Sequence, residues 1–594
     1  MNTAQPIFTR SADCQDCYKC VRGCPVKAIR VRDGHASVEA DTCIFCGRCV
    51  SLCPGQAKRI RDDVPEVRRL LRSGRRVVLS LAPSFPGEFT ECSAEELVAA
   101  LQELGFAEVS ETAVGAELVS REISRGFAGG DQGLRISSAC PVVVDLITKY
   151  YPELTERISP EPSPMRAHAA WLRERLGGDI AVVFVGPCIA KKCEADAEDS
   201  LIQAAITFAD LRRLFTEAGV SPTATASPTA AASPATAVSP AAAAGRMYPI
   251  DGGMTMSLSL APSERVARCM NASGLTAVRE TLEGLSPELL SRPLFLELLA
   301  CEGGCVNGPG MTRSASLLAR RDGVVSFAGG GDAAPPTGVT PTEAPRTGGE
   351  AVAAGGTAAG SLPPRWQPAS LEIAEPGEAE LRSALMTVGK HSREDELNCG
   401  GCGYDSCRAF AAALLRDRAE PAMCVAYMRR LAQKKNSALL KAMPSAAVTV
   451  DRQLRIVESN ENFARLCGSD AEEVYELSPG LEGAQLDRFL PQTDLFQAVL
   501  KHGGEVTNRT IRIHGAIVNA SIFSIEDHHL VGAILQDITD PAMRKQEIVE
   551  KSKEVIDKNL QTVQQIAYLL GENASETELI LNSIVRSFSG EDST

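Results

Sequence analysis

The chain has few aromatic side chains, 5% of its 594 residues, with only two Trp and seven His. It has no excess of positive charge: 61 Lys and Arg stand against 75 Asp and Glu, a formal net charge of −14. That balance argues against a nucleic acid as the main partner, which would favour a basic face. No apolar run approaches the roughly 18 residues a membrane helix requires. Residues 1–13 hold no apolar core of an export signal, so a cytoplasmic location is expected. Apolar residues at 44% and charged residues at 23% are ordinary for folded domains. The length suggests about four of them at roughly 150 residues each.

What the chain has in quantity is cysteine, twenty in all. Most fall in tight groups in a long chain without a signal, a pattern of metal ligation rather than of disulfides. Residues 1–60 are dense in Cys, Gly and Pro and too few to fold well around an apolar core alone; metal clusters would supply the staples. From 61 to 327 strands and helices alternate, which predicts an α/β domain with largely parallel strands. Arg76–Ala82 and Ile180–Gly186 read as buried strands. Ser93–Leu104 reads as an amphipathic helix, with Ser93 as N-cap and Glu96 completing a capping box. The Ser/Pro/Ala/Thr stretch 221–245 reads as a disordered insert, and 328–366 as a flexible linker. Residues 367–435 form a short helical module with four Cys. Residues 436–540 alternate helix and β-rich segments, and 541–594 are helical. In that last segment Val549, Ile556, Val563 and Leu570 recur every seven residues, Gly571 ends the helix, and Ser575 with Glu578 caps a second. A short coiled coil and a packed terminal hairpin both fit this pattern.

Two complete runs open the chain: Cys14-x2-Cys17-x2-Cys20-x3-Cys24-Pro25 and Cys43-x2-Cys46-x2-Cys49-x3-Cys53-Pro54. Soft thiolates at this spacing wrap a cubane iron–sulfur cluster, and the fourth Cys of each run crosses to the other cluster. Cys14, Cys17, Cys20 and Cys53 are expected to hold one 4Fe-4S cluster, and Cys43, Cys46, Cys49 and Cys24 the second. A zinc module is the competing reading, disfavoured by two full runs that each carry their proline. Over residues 10–60 this module resembles the bacterial two-cluster ferredoxin.

Four further Cys stand in three separated segments: Cys140 in Ser137-Ser-Ala-Cys-Pro141, Cys188 in Gly186-Pro-Cys-Ile-Ala-Lys-Lys-Cys-Glu194, and Cys301 and Cys305 in the Gly-rich run 297–310. Small residues there let backbone approach a bulky group. These segments resemble the three signature motifs of iron–iron (FeFe) hydrogenases. The resemblance implies an H-cluster: a 4Fe-4S cluster on Cys140, Cys188, Cys301 and Cys305, with Cys305 bridging to a two-iron centre that carries CO, cyanide and azadithiolate. It implies that Lys191 contacts a cyanide ligand and that Glu194 is the acidic end of the second motif; a surface ion pair is the plainer reading of that pair. Ala139 stands where catalytic members carry a proton-relay Cys, and a methyl group cannot relay a proton. Gly186 precedes Pro-Cys where Met is usual, Leu299 replaces a Met, and Met311 replaces a Gln. An Ala at position 139 resembles the sensory branch of the family, which binds H2 with slow turnover.

A third constellation, Cys399-x2-Cys402-x4-Cys407-x16-Cys424, resembles the small 4Fe-4S domain of corrinoid and carbon-monoxide pathway proteins. Zinc is again the competing metal. Cys92, Cys193, Cys269 and Cys467 remain as buried or inert thiols, with Cys193 a neighbour of the second motif. Residues 436–540 resemble a PAS domain through the runs 446–451, 456–468 and 531–538. His514, His528 and His529 give no basis for naming a PAS cofactor. No His follows His529, so the terminal helices are expected to carry no phosphoacceptor, and a histidine kinase is not the expected activity of the chain.

The expected fold class is therefore multidomain, α+β and α/β: two-cluster ferredoxin, hydrogenase-type α/β domain, helical 4Fe-4S domain, PAS domain and C-terminal helices. The expected function is an H2 sensor that oxidises H2 slowly and relays redox state to a separate kinase or phosphatase. Hydrogenase maturation proteins and a ferredoxin-like redox partner are the other implied partners, with a homodimer through the PAS segment and helices. Two rivals stand beside it: a catalytic ferredoxin-linked hydrogenase, and an electron-transfer scaffold that lacks the two-iron centre.

Overall fold

Strand Ile180–Gly186 is apolar throughout, and every residue in it is buried. Such a run belongs at the centre of a parallel sheet covered on both faces. In the computed structural model it pairs in parallel with Arg76–Leu81 on one side and Ala204–Thr207 on the other, and Glu108–Glu111 extends the sheet beyond Arg76–Leu81. A second parallel sheet of three strands places Phe295–Leu299 between Cys269–Ser273 and Arg135–Ile136. The helix expected after Ser93 spans Ala94–Glu103. Ser93 Oγ accepts from the Glu96 amide at 3.2 Å, and Glu96 Oε2 accepts from the Ser93 amide at 2.8 Å.

The structure describes residues 5–128, 133–223, 243–260, 265, 268–329, 366–369, 371, 375–539 and 548–565. Most of the expected insert at 221–245, most of the linker at 328–366, and the second terminal helix with Ser575 and Glu578 lie outside them, as does Leu570 of the heptad.

The chain divides into two units, residues 1–427 and 428–594. In the first, the Cys-rich N-terminus is closed by two antiparallel pairs, Ile7–Thr9 with Lys58–Ile60 and Ile29–Arg32 with His35–Val38. The two parallel sheets follow, then the helices Glu378–Thr387 and Cys407–Leu415. In the second, a five-stranded antiparallel sheet runs in the order Ile456–Ser459, Ala446–Asp451, Leu530–Asp537, Ala516–Glu526, Glu505–Ile513. Short helices Glu461–Cys467, Ser469–Leu477 and Asp494–His502 accompany it. Helix Val425–Ala442 runs through the expected boundary at 435/436.

Candidate metal centres

The N-terminal module is an internal repeat. Helices Lys19–Gly23 and Arg48–Leu52 each begin on a left-handed residue, Tyr18 and Gly47, and each ends on an extended Cys, Cys24 and Cys53. Each of these Cys receives an amide at its sulfur: Ala28 N–H to Cys24 Sγ at 3.2 Å, and Ala57 N–H to Cys53 Sγ at 3.2 Å. N–H donors aimed at sulfur favour a thiolate and stabilise added negative charge. Cys14, Cys17, Cys20 and Cys53 line one cavity. Cys24, Cys43, Cys46 and Cys49 form a second group within electrostatic reach of one another; burial pushes Cys43 up to about 11 and Cys46 up to about 12. Lys58 is buried between the groups, donating to Thr9 Oγ1 and to the Ala36 carbonyl. Burial raises both Cys20 and Cys49, and the Lys58 ammonium opposes that rise at each.

The three hydrogenase-like segments all emerge at the carboxyl ends of parallel strands, where ligands of open α/β sheets bind. Cys188 follows Ile180–Gly186, Cys301 follows Phe295–Leu299, and Cys140 follows the two-residue strand Arg135–Ile136. The third segment is tied to the second by the Gly310 amide donating to the Pro187 carbonyl at 2.7 Å. The four thiols come together. Burial pushes Cys188 up to about 12 and also raises Cys140, Cys301 and Cys305; the thiols add to one another's shift, and Lys191 opposes it at Cys140, Cys188 and Cys305. Cys46 also contributes at Cys301, so the second N-terminal group abuts this one.

Beside these thiols lies a cavity of about 650 Å³ including its mouth, walled by Ala139, Cys188, Lys191, Tyr248, Glu297 and Cys305 among others. Lys191 Nζ donates to Glu194 Oε2 at 2.7 Å, and Ser163 Oγ donates to the same oxygen at 2.9 Å. Glu194 thus holds the ammonium at the cavity wall. Glu297 is buried and accepts from the Thr255 amide at 2.8 Å and from Thr255 Oγ1 at 2.9 Å; burial raises its carboxyl. Two hydroxyl chains leave the wall. Tyr248 OH meets Ser120 Oγ at 2.8 Å, which meets Ser257 Oγ at 2.5 Å. Thr112 Oγ1 meets Ser80 Oγ at 2.8 Å, which meets His168 Nδ1 at 2.8 Å. The donor set fits a cubane with a smaller group beside it: four clustered thiols, one cation for anionic ligands, and a space bounded mostly by apolar side chains, with Glu297 and the Thr112 and Tyr248 hydroxyls among its polar points. Raised thiols mean that metal uptake must release protons.

Cys399, Cys402, Cys407 and Cys424 line one cavity together with Lys390 and Tyr404. Asn398 Oδ1 accepts from the Cys407 amide at 2.8 Å, and Ser406 caps helix Cys407–Leu415. This segment is fastened to the N-terminal module. Lys27 Nζ donates to the Gly403 carbonyl at 2.7 Å, the Val31 amide to the Arg418 carbonyl at 3.0 Å, and Arg418 pairs with Glu39 at 2.9 Å. Arg30 pairs with Asp417. Tyr404 is within electrostatic reach of both Cys402 and Cys24, so it lies between the two thiol groups.

The fold gathers the cysteine groups expected from spacing, and also the four Cys that only the motif resemblance joined. Cys193 lies on helix Lys191–Asp196 within reach of Cys188 and Cys43, and burial raises its thiol. Cys92 and Cys467 are raised by burial to about 11 and about 12, and Cys269 opens a strand. Sequence reasoning missed Lys58, Glu297, Tyr248 and His168. Glu297 had a signal, a charged residue inside the apolar run Phe295–Leu299.

Residues 75–309 match the family described as "Iron only hydrogenase large subunit, C-terminal domain". Residues 7–54 match "4Fe-4S dicluster domain", and 395–426 match "Putative Fe-S cluster". Among curated proteins the chain is 24% identical to iron hydrogenase 1 of Clostridium pasteurianum, over 40% of this chain and 50% of that protein. It is 28% identical to the periplasmic Fe hydrogenase large subunit of Nitratidesulfovibrio vulgaris, over 26% of this chain and 44% of that protein. The chain thus spans about half the length of the curated relatives it matches. Among solved structures, a variant of the FeFe-hydrogenase of Chlamydomonas reinhardtii aligns with a TM-score of 0.36 at 20% identity, covering 44% of this chain and 88% of that one. The PAS domain of an HTR-like protein from Haloarcula marismortui aligns with a TM-score of 0.14 at 18% identity, over 18% of this chain and 99% of that one. No helix among the described residues is long and apolar enough to cross a membrane. The chain is a multidomain iron–sulfur protein whose central region matches the iron-only hydrogenase large subunit.

Proposed function

We propose that this chain is an H2 sensor built on a hydrogenase site. The observation that carries the reading is Ala139 in the wall of the cavity beside Cys305 and Lys191. The thiol set is complete, yet this wall position offers only a methyl group to a departing proton. When bound, the two-iron group would supply H2 binding and heterolysis. Cys140, Cys188, Cys301 and Cys305 would hold it with its cubane, and Lys191, kept in place by Glu194, would face its anionic ligands. Electrons would pass from Cys301 to the Cys46 group and onward to the Cys24 side, where Tyr404 meets the Cys402 group. Helix Val425–Ala442 starts one residue after Cys424, which gives the last cluster a covalent route to the PAS-like sheet. That sheet and residues 548–565 would report to a separate kinase or phosphatase.

The catalytic reading draws on a specific observation too: the hydroxyl chain of Tyr248, Ser120 and Ser257 at the cavity wall offers protons a way out. Infrared spectra of anaerobic, matured protein before and after H2 separate the readings. CO and cyanide bands that shift under H2, with slow turnover, are expected. Shifting bands with fast turnover would favour the catalytic enzyme, and no bands after competent maturation would leave the scaffold. Iron content adds a check: about 12 Fe per chain for three cubanes, about 16 for four, and about 18 with the two-iron centre.

A further inference from the structure

His168 is fully buried, and no step so far uses it. It lies on helix Pro164–Leu176, packed over the sheet at Ser80 and Ser110. These two serines are register partners on adjacent parallel strands, so their hydroxyls leave the same face side by side. The imidazole bridges them: Nδ1 to Ser80 Oγ at 2.8 Å, and Nε2 to Ser110 Oγ at 2.9 Å. Trp171 stacks on the ring at 5.7 Å and fixes its plane. Ser80 Oγ also meets Thr112 Oγ1 at 2.8 Å, and Thr112 stands in the cavity wall with Ala139. Ser110, at the other end, is part-exposed on the edge strand Glu108–Glu111. The sequence therefore places a hydroxyl, a hydroxyl, an imidazole and a hydroxyl in line between the cavity and the surface.

We infer that Thr112, Ser80, His168 and Ser110 form a proton outlet from the cavity that takes the place of the relay lost at Ala139. The inference rests on the reading of that cavity as an H2 site. Cleavage of H2 gives two protons and two electrons. The electrons would leave to the clusters that the cysteine groups would hold, and each proton passes from Thr112 Oγ1 to Ser80 Oγ. His168 takes a proton at Nδ1 as it gives one from Nε2 to Ser110, and rotation of the hydroxyls with a half-turn of the ring about Cβ–Cγ then restores the starting tautomer for the next proton. Burial lowers the imidazole to about 3, so the ring passes the proton on rather than storing it. A ring whose protonated form is disfavoured by burial is poorly matched to proton transfer at neutral pH, which agrees with a site that registers H2 rather than consuming it. His168 acts through Thr112 and is a relay residue, not a catalytic one.

The test compares wild type with His168→Gln, His168→Phe, Thr112→Val and Tyr248→Phe in the full matured chain. Gln keeps a donor and an acceptor for the two serines but has no second ring nitrogen to hand a proton through. D2 exchange in H2O is followed by mass spectrometry, with infrared bands confirming the loaded site. A relay predicts that both His168 variants and Thr112→Val lose at least tenfold in exchange, with the HD to H2 product ratio rising because the deuteron returns before it escapes. Wild-type exchange and product ratio in His168→Gln would reduce His168 to a packing role and overturn the outlet. So would a loss confined to Tyr248→Phe, which would place the outlet on the Ser120 chain. A second readout needs no turnover: 15N-histidine NMR of the full chain should show the buried imidazole N–H exchanging with solvent at least tenfold faster in wild type than in Ser110→Ala, which removes the surface end of the relay. Equal protection in the two would overturn the inference. Absent CO and cyanide bands would sink the H2 reading, while the NMR comparison would still decide whether this chain conducts protons.

Discussion

Ala139 gives the cavity wall a methyl group, and its amide donates to Ser137 Oγ at 3.2 Å. A positioned acid–base group is worth about 10²–10⁴ in rate. Ala139→Cys should therefore raise H2 turnover at least tenfold with the infrared bands little moved, as measured by gas exchange and spectra on one sample. His168 has a consequence for stability as well. Its folded ring titrates at about 3, the unfolded ring near 6.5. Between those values the unfolded chain binds the extra proton, so stability rises with pH, by up to about 1.4 kcal/mol per pH unit from this group. Asp145, raised by burial to about 6, works in the opposite sense: there the folded chain binds the extra proton, and stability falls as pH rises toward 6. Chemical unfolding of Asp145→Asn should show a steeper rise than wild type between about pH 4 and 6, and adding His168→Gln should flatten it.

Among the elements, two glycines set how closely the metal-bearing segments approach. Gly47 has φ +76°, and a Cβ there would sit 2.6 Å from Pro309 Cβ and 2.8 Å from Ile189 Cδ1. Gly403 has φ +96°, and a Cβ would sit 2.8 Å from Val21 Cγ1. Gly403→Ala should cost about 1–3 kcal/mol through strain and clash; limited proteolysis should then cleave within 395–427 before the hydrogenase-like domain. In the second unit the same kind of fastening is polar. Asn460 is buried; its Oδ1 accepts from Ala447 N–H at 2.9 Å and Phe463 N–H at 3.0 Å, and its Nδ2 donates to the Leu440 carbonyl at 3.1 Å and the Ser445 carbonyl at 2.8 Å. One amide thus ties the end of helix Val425–Ala442 to strand Ala446–Asp451 and helix Glu461–Cys467. Asn460→Ala leaves several buried groups unpaired and should destabilise residues 428–539 by about 2–4 kcal/mol, with hydrogen exchange at 445–463 accelerating first.

Across the whole molecule, the two N-terminal cysteine groups and the Cys399–Cys424 group were legible because ligand spacing is a local property that survives in one dimension, whereas Cys140, Cys188, Cys301 and Cys305, far apart in the chain, were joined only by the resemblance of their three segments to known motifs. Ile180–Gly186 was legible for a similar reason: a buried parallel strand is apolar along its whole length. Arg135–Ile136 was not, since two residues carry no period. Nor were Lys58 and His168, whose surroundings are assembled from distant segments: Lys58 meets Thr9 and Ala36, and His168 meets Ser80 and Ser110. The heptad residues Val549, Ile556 and Val563 lie exposed on 548–565, and analytical ultracentrifugation of the full chain against an Ile556→Asp, Val563→Asp variant should show a dimer giving way to a monomer if this stripe joins two copies. Lys58 has the widest reach of these. A single ammonium offsets charge at both N-terminal thiol groups, so they have one counter-ion in common, while Lys149 and Arg48 act on the second group alone. Lys58→Met should therefore make both of the clusters these thiols would hold harder to reduce together and leave the difference between them nearly intact, whereas Lys149→Met should shift the second by itself. An electron crossing that module would find two landings hung in part from the same nail.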